Sequence, residues 1–176
     1  KLEFMNLNLN ELVQQVNGEF AERFEGRNLD LICILQPEPL LIRADSRRIW
    51  RVLENLYVNV CKYAMPGTRV YVDAIKKDGK IQLSIKNISE NPLNFQADEL
   101  TERFIRGDVS RSTEGSGLGL SIAKNLTVLQ HGSFNIYLDG DLFKVTITFD
   151  EAVKEKKPMP PMIVPEAVQE EAQQDA

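Results

Sequence analysis

Histidine and cysteine are scarce in this chain, whose 176 residues include one histidine and two cysteines. Cys33 and Cys61 lie in apolar segments, and their separation does not match the spacing of metal ligands. We therefore predict two reduced cysteines in the core, and neither a disulfide nor a zinc site. A signal-peptide pattern is missing, and apolar runs such as 31–35 are far too short to cross a bilayer. These absences favour one cytosolic domain with an ordinary core.

An excess of positive charge is also lacking. The chain carries 21 Lys and Arg residues against 26 Asp and Glu residues, a formal net charge of −5, which argues against a nucleic-acid surface.

Two common phosphate-binding motifs are absent as well. No Gly-x-x-x-x-Gly-Lys-Ser/Thr string occurs, and the segment 106–114 is too polar to be the strand that a Rossmann turn requires.

Three alternate glycines end this polar loop directly before a predicted helix. The glycines are Gly115, Gly117 and Gly119, and the apolar positions of the helix are Leu118, Ile122, Leu126 and Leu129. Glycine lets the backbone approach a ligand closely, and the N-terminus of a helix attracts anions. The string therefore indicates either a phosphate site under a loop or a plain glycine-rich hinge.

An earlier predicted helix, capped by Asp45 or Ser46, carries a polar stripe beside its apolar face. The apolar face consists of Ile49, Val52, Leu53, Leu56 and Val60. Asn55, Asn59 and Lys62 recur every three or four residues and lie within roughly 40° of one another around the helix axis. Amide oxygens suit Mg²⁺ and a lysine attracts phosphate, so the stripe can hold a cation and a polyphosphate. The alternative is a solvated helix edge.

The rest of the pattern predicts strands joined mostly by hairpins. An edge strand is expected within 1–9, and Asn10 is expected to cap the first helix. Leu40–Ile42 is predicted to pair back on the strand at 29–35. Later strands are expected at 69–75, 81–88, 134–138 and 143–149, with turns at Asp78-Gly79 and Asp139-Gly140. These elements favour an α+β fold, a two-layer α/β sandwich with a mixed, mostly antiparallel sheet and about three helices on one face.

The composition changes after Asp150. Prolines and acidic residues then dominate: Pro158, Pro160, Pro161, Pro165, Glu166, Glu170, Glu171 and Asp175. We predict a domain at 1–150 and a Pro-rich, acidic tail without stable structure at 151–176. Because the first residue is Lys, we also expect the chain to be a piece of a longer protein.

Three motifs together resemble the ATP-binding catalytic domain of bacterial sensor histidine kinases, which has a Bergerat-type ATPase fold. The motifs are Asn55–Tyr63, Glu102–Arg106 and Gly115–Leu120, and they occur in the family's order and spacing. The resemblance implies a cytoplasmic domain of a two-component signal-transduction kinase that binds ATP and Mg²⁺ beneath a long ATP lid. The parent protein would be anchored in the cell membrane.

The resemblance also implies roles for the residues of the helical motif. Asn59 would be the Mg²⁺ ligand, and Asn55 and Lys62 would contact phosphate oxygens. Tyr63 would border the nucleotide. In the strand that follows, Asn87 occupies the place of an aspartate that accepts a hydrogen bond from the adenine amino group.

Other implied roles belong to the lid. Phe104 would pack the lid, and Arg106 would reach the terminal phosphate, which makes Arg106 and Lys62 the catalytic candidates. Leu118 would anchor the following helix. Three glycines would allow the lid to close over the phosphates: Gly115, Gly117 and Gly119.

Two departures from the family pattern stand out. The family's Asp-x-Gly-x-Gly motif is replaced by Asn87-Ile-Ser-Glu-Asn91. A neutral Asn87 is a weaker acceptor than a carboxylate, so we expect altered adenine affinity, and the loss of both glycines restricts the loop. Thr101 stands where a second lid phenylalanine is expected, which predicts looser lid packing.

The chain also lacks a general base for hydrolysis. Related ATPases of this fold place a glutamate four residues before the metal-binding asparagine, where this chain has Asn55, and Glu54 points roughly 100° away. The resemblance implies phosphoryl transfer to a histidine on a helical dimerisation domain that lies outside this chain, with a response regulator as the further partner. His131 is interpreted as a helix terminus, and the isolated fragment is expected to be monomeric.

Two other functions stay open at this point. The altered Asn87–Asn91 segment favours a degenerate docking module that binds nucleotide weakly or not at all. The stripe of Asn55, Asn59 and Lys62 argues against it, because a docking module needs no phosphate site. An ATP-hydrolysing machine of the same fold is disfavoured by the missing glutamate.

Overall fold

The computed structural model describes residues 1–93 and 119–153, and these form seven strands and three helices. In chain order the elements are β1 (Phe4–Asn8), α1 (Leu9–Gly26), β2 (Asp30–Leu35), β3 (Leu41–Asp45), α2 (Ser46–Tyr63), β4 (Arg69–Lys77), β5 (Lys80–Ile88), α3 (Gly119–Leu129), β6 (Ser133–Asp139) and β7 (Leu142–Asp150). None of these described helices combines the length and the apolar character needed to cross a membrane. Most of the predicted acidic tail (154–176) lies outside the described residues.

A mixed five-stranded sheet forms one layer, in the order β2-β4-β5-β7-β6. β2 runs parallel to β4, and the other pairs are antiparallel. One row of paired residues crosses the sheet and packs against the helices: Cys33, Val72, Ile85, Val145 and Ile136. The next row lies on the opposite face and ends in the exposed Tyr137. The predicted α+β sandwich, with its mixed sheet and three helices, is confirmed.

The predicted return of Leu40–Ile42 onto the preceding strand is wrong. β3 instead pairs with β1 in a separate two-stranded sheet. The side-chain amide of Asn10 explains the change of partner, because it donates to the carbonyl oxygens of Gln36 (2.9 Å) and Glu38 (3.0 Å). These bonds hold the turn after β2 on the first turn of α1, so the chain leaves the edge of the large sheet there.

Asn10 is not the N-cap of α1 as predicted, because its side chain bonds to the turn after β2. The N-cap is Asn8, whose side-chain oxygen accepts from the backbone N–H of Asn10 at 3.1 Å. For α2, the predicted cap at Asp45 is confirmed, since its carboxylate accepts from the N–H groups of Arg47 and Arg48 at 3.0 and 3.2 Å. The five predicted apolar residues of α2 are all buried.

Tyr57 joins α1 and α2 inside the core. Its ring is fully buried, stacks on Phe24 with a centroid distance of 5.7 Å and meets Phe20 edge-on at 5.5 Å. Its hydroxyl donates to the side-chain oxygen of Asn17. Burial raises the pKa of Tyr57 well above its ordinary value, so the phenol stays neutral and remains a donor.

Asp45 makes the stability of the fold depend on pH in the acid range. The N–H of Glu3 donates to its carboxylate at 2.9 Å, and Arg48 forms an ion pair with it at 2.7 Å. These contacts, led by the Glu3 bond, lower the pKa of Asp45 from 3.8 to about 2. A lowered folded-state pKa stabilises the fold above the unfolded pKa, and that contribution is lost as the pH falls from 3.8 towards 2.

We therefore expect Asp45→Asn to be less stable than the unmodified chain near neutral pH, with a gap that narrows below pH 3.8. Urea unfolding of both proteins between pH 2 and 6 measures the gap. Asp139→Asn, at an exposed residue in the β6–β7 hairpin, is the control. A gap that stays constant over this range would contradict the prediction.

Candidate functional site

The polar stripe of α2 lies at the edge of the helical layer. Asn59 is buried with 8% of its surface exposed, while Lys62 is exposed and Tyr63 is intermediate. The helix presents Asn59 beside its apolar face because the buried Leu56 lies three residues earlier, on the same side of the helix. The stripe therefore holds a desolvated amide next to an accessible ammonium group. Such a pair suits a ligand that carries a metal ion and several phosphates.

Asn55 contacts the start of α3. Its side-chain nitrogen donates to the carbonyl of Arg51 at 2.8 Å, and its side-chain oxygen lies near Gly119. A Cβ on Gly119 would lie 3.6 Å from that oxygen, an ordinary contact distance. The structure thus brings together two predicted site residues from separate motifs. A side chain at position 119 would not clash with Asn55.

Asn87 supplies a buried acceptor without a partner. It lies on β5 two residues after Ile85, so it faces the helical layer, and only 2% of its surface is exposed. Within the described part of the chain its side-chain oxygen has no hydrogen-bond partner. A buried amide oxygen without a donor costs free energy, and an amino group of a ligand would remove that cost.

The segment after Asn87 is bonded to the end of α2. The N–H of Met65 donates to the carbonyl of Ile88, and the N–H of Glu90 donates to the carbonyl of Tyr63, both at 2.8 Å. Ser89 pairs with Ala64 in an antiparallel bridge. The loop that the loss of two glycines is expected to restrict is therefore extended as far as Ser89 and bends at Glu90 and Asn91, and none of these residues has a positive φ. These bonds bring Asn87 and the last turn of α2 to one end of the sheet.

Arg27 and Glu90 are contributors that sequence reasoning missed. The guanidinium of Arg27 donates to the carbonyl oxygens of Cys61 (2.8 Å) and Ala64 (3.0 Å), and it forms a 3.5 Å ion pair with Glu90. At least 34 residues separate Arg27 from each of these partners. No local spacing signal could have revealed these contacts.

His131 ends α3, as predicted. Its N–H donates to the carbonyl of Val128 at 3.0 Å, and its backbone adopts the left-handed conformation with φ 67°. Its ring stacks on Phe4 with a centroid distance of 5.6 Å. These contacts join the end of α3 to β1.

Five predicted site residues lie outside the described residues: Phe104, Arg106, Gly115, Gly117 and Leu118. Their roles in a lid stay predictions. Six others are placed by the structure: Asn55, Asn59, Lys62, Tyr63, Asn87 and Gly119. Of these, Asn55 meets Gly119, and the bonded segment 63–65 with 88–90 connects the helix to the strand that carries Asn87.

Most of the chain also matches a known protein family. Residues 44–153 match the family described as histidine kinase-, DNA gyrase B- and HSP90-like ATPases, a span of more than half of the chain. The chain belongs to this family. The resemblance predicted from the motifs is confirmed.

Individual relatives of this ATPase domain are histidine kinases. The signal transduction histidine-protein kinase BaeS of Escherichia coli is 31% identical over 123 residues, which cover 69% of this chain and 26% of that protein. The chain thus spans about a quarter of this relative's length.

Two solved structures support the same assignment. The nucleotide-free catalytic domain of histidine kinase ThkA is 26% identical with a TM-score of 0.74, covering 85% of this chain and 96% of that one. ThkA in complex with the response regulator protein TrrA gives a TM-score of 0.70 at 26% identity, covering 86% of this chain and 42% of that one. This chain is thus an ATPase domain of the type found in two-component sensor kinases.

Proposed function

We propose that this domain binds Mg·ATP and transfers the γ-phosphoryl group to a histidine on a helical dimerisation domain outside this chain. The buried side-chain oxygen of Asn87, which has no hydrogen-bond partner among residues 1–93 and 119–153, is the observation that carries the proposal. It would accept from the adenine amino group at the end of the sheet to which residues 63–65, directly after the proposed phosphate-binding stripe of α2, are bonded.

The residues present are compatible with Mg²⁺ and ATP. Asn59 would ligate Mg²⁺ through its amide oxygen, Asn55 and Lys62 would contact phosphate oxygens, and Tyr63 would border the nucleotide. When bound, Mg²⁺ neutralises charge on the phosphates. Lys62, with Arg106 from the lid, would hold the γ-phosphoryl group in place for transfer. The lid would close through Phe104, Leu118 and three glycines: Gly115, Gly117 and Gly119.

Transfer is favoured over hydrolysis by the groups near Asn59. Asn55 occupies the position one helical turn earlier, and its nitrogen is engaged with the carbonyl of Arg51. An amide cannot accept the proton of an attacking water. Glu54 is exposed on a different side of the helix. Phosphoryl transfer needs only that the domain positions ATP and neutralises the charge of its phosphates, when another protein domain supplies the nucleophile.

The partners follow from the same proposal. The acceptor histidine belongs to the dimerisation domain of the same kinase, and the phosphoryl group then passes to a response regulator of the kind that ThkA binds. The domain acts in the cytoplasm as part of a kinase anchored in the cell membrane, and the isolated fragment is monomeric. Nucleic acid is not a partner in this proposal.

A docking module with little nucleotide affinity is the second candidate. The bonded segment after Asn87 favours it, because Ser89 and Asn91 stand where the family has glycines and the segment has little freedom to adapt to a base. The buried acceptor of Asn87 argues for nucleotide binding, since a docking module would gain nothing from it.

Calorimetric titration of ATP into the domain, with and without Mg²⁺, separates the two functions. We expect saturable ATP binding that Mg²⁺ strengthens. We also expect weaker binding of GTP, because guanine has a carbonyl at the position of the adenine amino group that would donate a hydrogen bond to Asn87. We also expect no phosphate incorporation at His131 when the domain is incubated alone with ATP. Absence of binding at millimolar ATP would favour the docking module, and labelling of His131 would contradict its structural role.

A further inference from the structure

Arg27 replaces a missing backbone donor at the end of α2. In an α-helix the carbonyl of Cys61 would accept from the N–H of Met65, four residues later. That N–H instead donates to the carbonyl of Ile88 at 2.8 Å. The side chain of Arg27 donates from Nε to the Cys61 carbonyl at 2.8 Å, and from Nη2 to the Ala64 carbonyl at 3.0 Å. The guanidinium thereby satisfies two acceptors that a helix end leaves open.

The same guanidinium also reaches the segment after β5. Its Nη2 atom lies 3.5 Å from a carboxylate oxygen of Glu90, whose N–H donates to the carbonyl of Tyr63. Both side chains of the ion pair are partly exposed, so solvent screens their attraction. Its contribution is therefore geometric, since it gives one rigid, planar group contacts on two separate segments.

These contacts are made to residues next to the proposed site residues in the chain. The two carbonyls that Arg27 holds belong to Cys61 and Ala64, and Lys62 and Tyr63 lie between them in the chain. Glu90 lies three residues beyond Asn87. One side chain from the end of α1 thus connects the proposed phosphate-binding turn of α2 with the proposed adenine-binding end of β5.

We propose that Arg27 is a positioning residue for nucleotide binding, which fixes Lys62 and Tyr63 relative to Asn87. This inference rests on the proposed function. Arg27 contacts backbone oxygens and Glu90 and acts on the nucleotide only through them. Without it, the last turn of α2 loses two hydrogen bonds and moves relative to the end of β5, and the proposed phosphate and adenine contacts no longer form together.

The test compares Arg27→Met with Arg23→Met. Arg23 lies one turn earlier on α1, is exposed over the ring of Phe20 and makes none of the contacts to α2 carbonyls described for Arg27, so it is a matched control. ATP affinity is measured by calorimetry at a temperature at which every variant is folded. We expect Arg27→Met to weaken binding about tenfold, because small misplacements of binding groups have effects of this size or larger. Arg23→Met should stay within about twofold, as is usual for surface substitutions.

Two further variants and one further measurement separate positioning from simple stability. Arg27→Lys retains the charge but not the planar fork, so we expect partial recovery of affinity. Glu90→Gln removes only the ion pair and should weaken binding less than Arg27→Met. Hydrogen exchange of the Met65 and Glu90 amides reports the last turn of α2 without nucleotide, and exchange should be faster in Arg27→Met than in Arg23→Met.

Unchanged ATP affinity in a folded Arg27→Met variant would overturn the proposal, even if its melting temperature fell. Failure of the unmodified domain to bind ATP would instead overturn the proposed function. In that case hydrogen exchange still tests whether Arg27 holds the last turn of α2 in place. Equal exchange of the Met65 and Glu90 amides in Arg27→Met and Arg23→Met would show that it does not.

Discussion

Replacing Asn59 with alanine is expected to abolish the Mg²⁺-dependent part of ATP binding and to leave the domain folded. A metal ligand contributes more than the outer residues around it, whose loss alone costs about 10- to 100-fold in affinity. We therefore expect a loss of at least that size in the presence of Mg²⁺ and a small change in its absence. The fold should survive because Asn59 lies inside α2 and alanine is the best helix former.

Calorimetric titration of ATP with and without Mg²⁺ measures both quantities for Asn59→Ala and for a control. Asn135→Ala is a suitable control, because Asn135 is exposed on β6 on the opposite face of the sheet from the helices. It should bind Mg·ATP as the unmodified domain does. Equal Mg·ATP affinity in the Asn59→Ala variant would rule out Asn59 as the metal ligand.

A second large effect is expected for Gly132→Ala, this time on stability. An added Cβ would lie 2.8 Å from two ring atoms of Phe149 and 2.9 Å from the methyl group of Thr127. Both neighbours are buried, so neither can move into solvent. Overpacking of this kind costs about 1–3 kcal/mol, which denaturant unfolding measures as a lower midpoint.

Gly18→Ala is the matched control for that experiment. Gly18 lies inside α1, and an added Cβ would meet no atom of the described residues within 4 Å apart from the backbone of its own helix. Because glycine is a poor helix former, this variant should gain about 0.5–1 kcal/mol of stability. If Gly132→Ala were as stable as Gly18→Ala, the side chains around Gly132 would have to pack more loosely than the structure shows.

Much of the fold could be predicted because its signals are local. Asp45 is followed by a buried stripe with helical period, and both the cap and the stripe are confirmed in α2. Asp78-Gly79 adopts positive φ at both residues, as a tight hairpin requires, and joins β4 to β5. In each case the deciding residues lie within a few positions of one another, so a short window contains the information.

The errors arose where a side chain acts over a long distance. Asn8 and Asn10 are equally good caps by residue type, and only the contact of Asn10 with the turn after β2 decides between them. The same contact redirects β3 to β1. For the site, helical spacing identified Asn55, Asn59 and Lys62 as one stripe, whereas Arg27 could not be found because its partners are distant in sequence.

The part of this chain that identifies its family is smaller than the part that folds together. The family match begins at Ala44, after α1, β2 and most of β3. Yet α1 supplies the rings that enclose Tyr57, β2 covers the edge of β4, and Arg27 closes the end of α2. A fragment cut at the family boundary would expose the aromatic ring of Tyr57 and would remove the Arg27 side chain from the carbonyls of Cys61 and Ala64. Expression boundaries for this domain therefore belong ahead of β1.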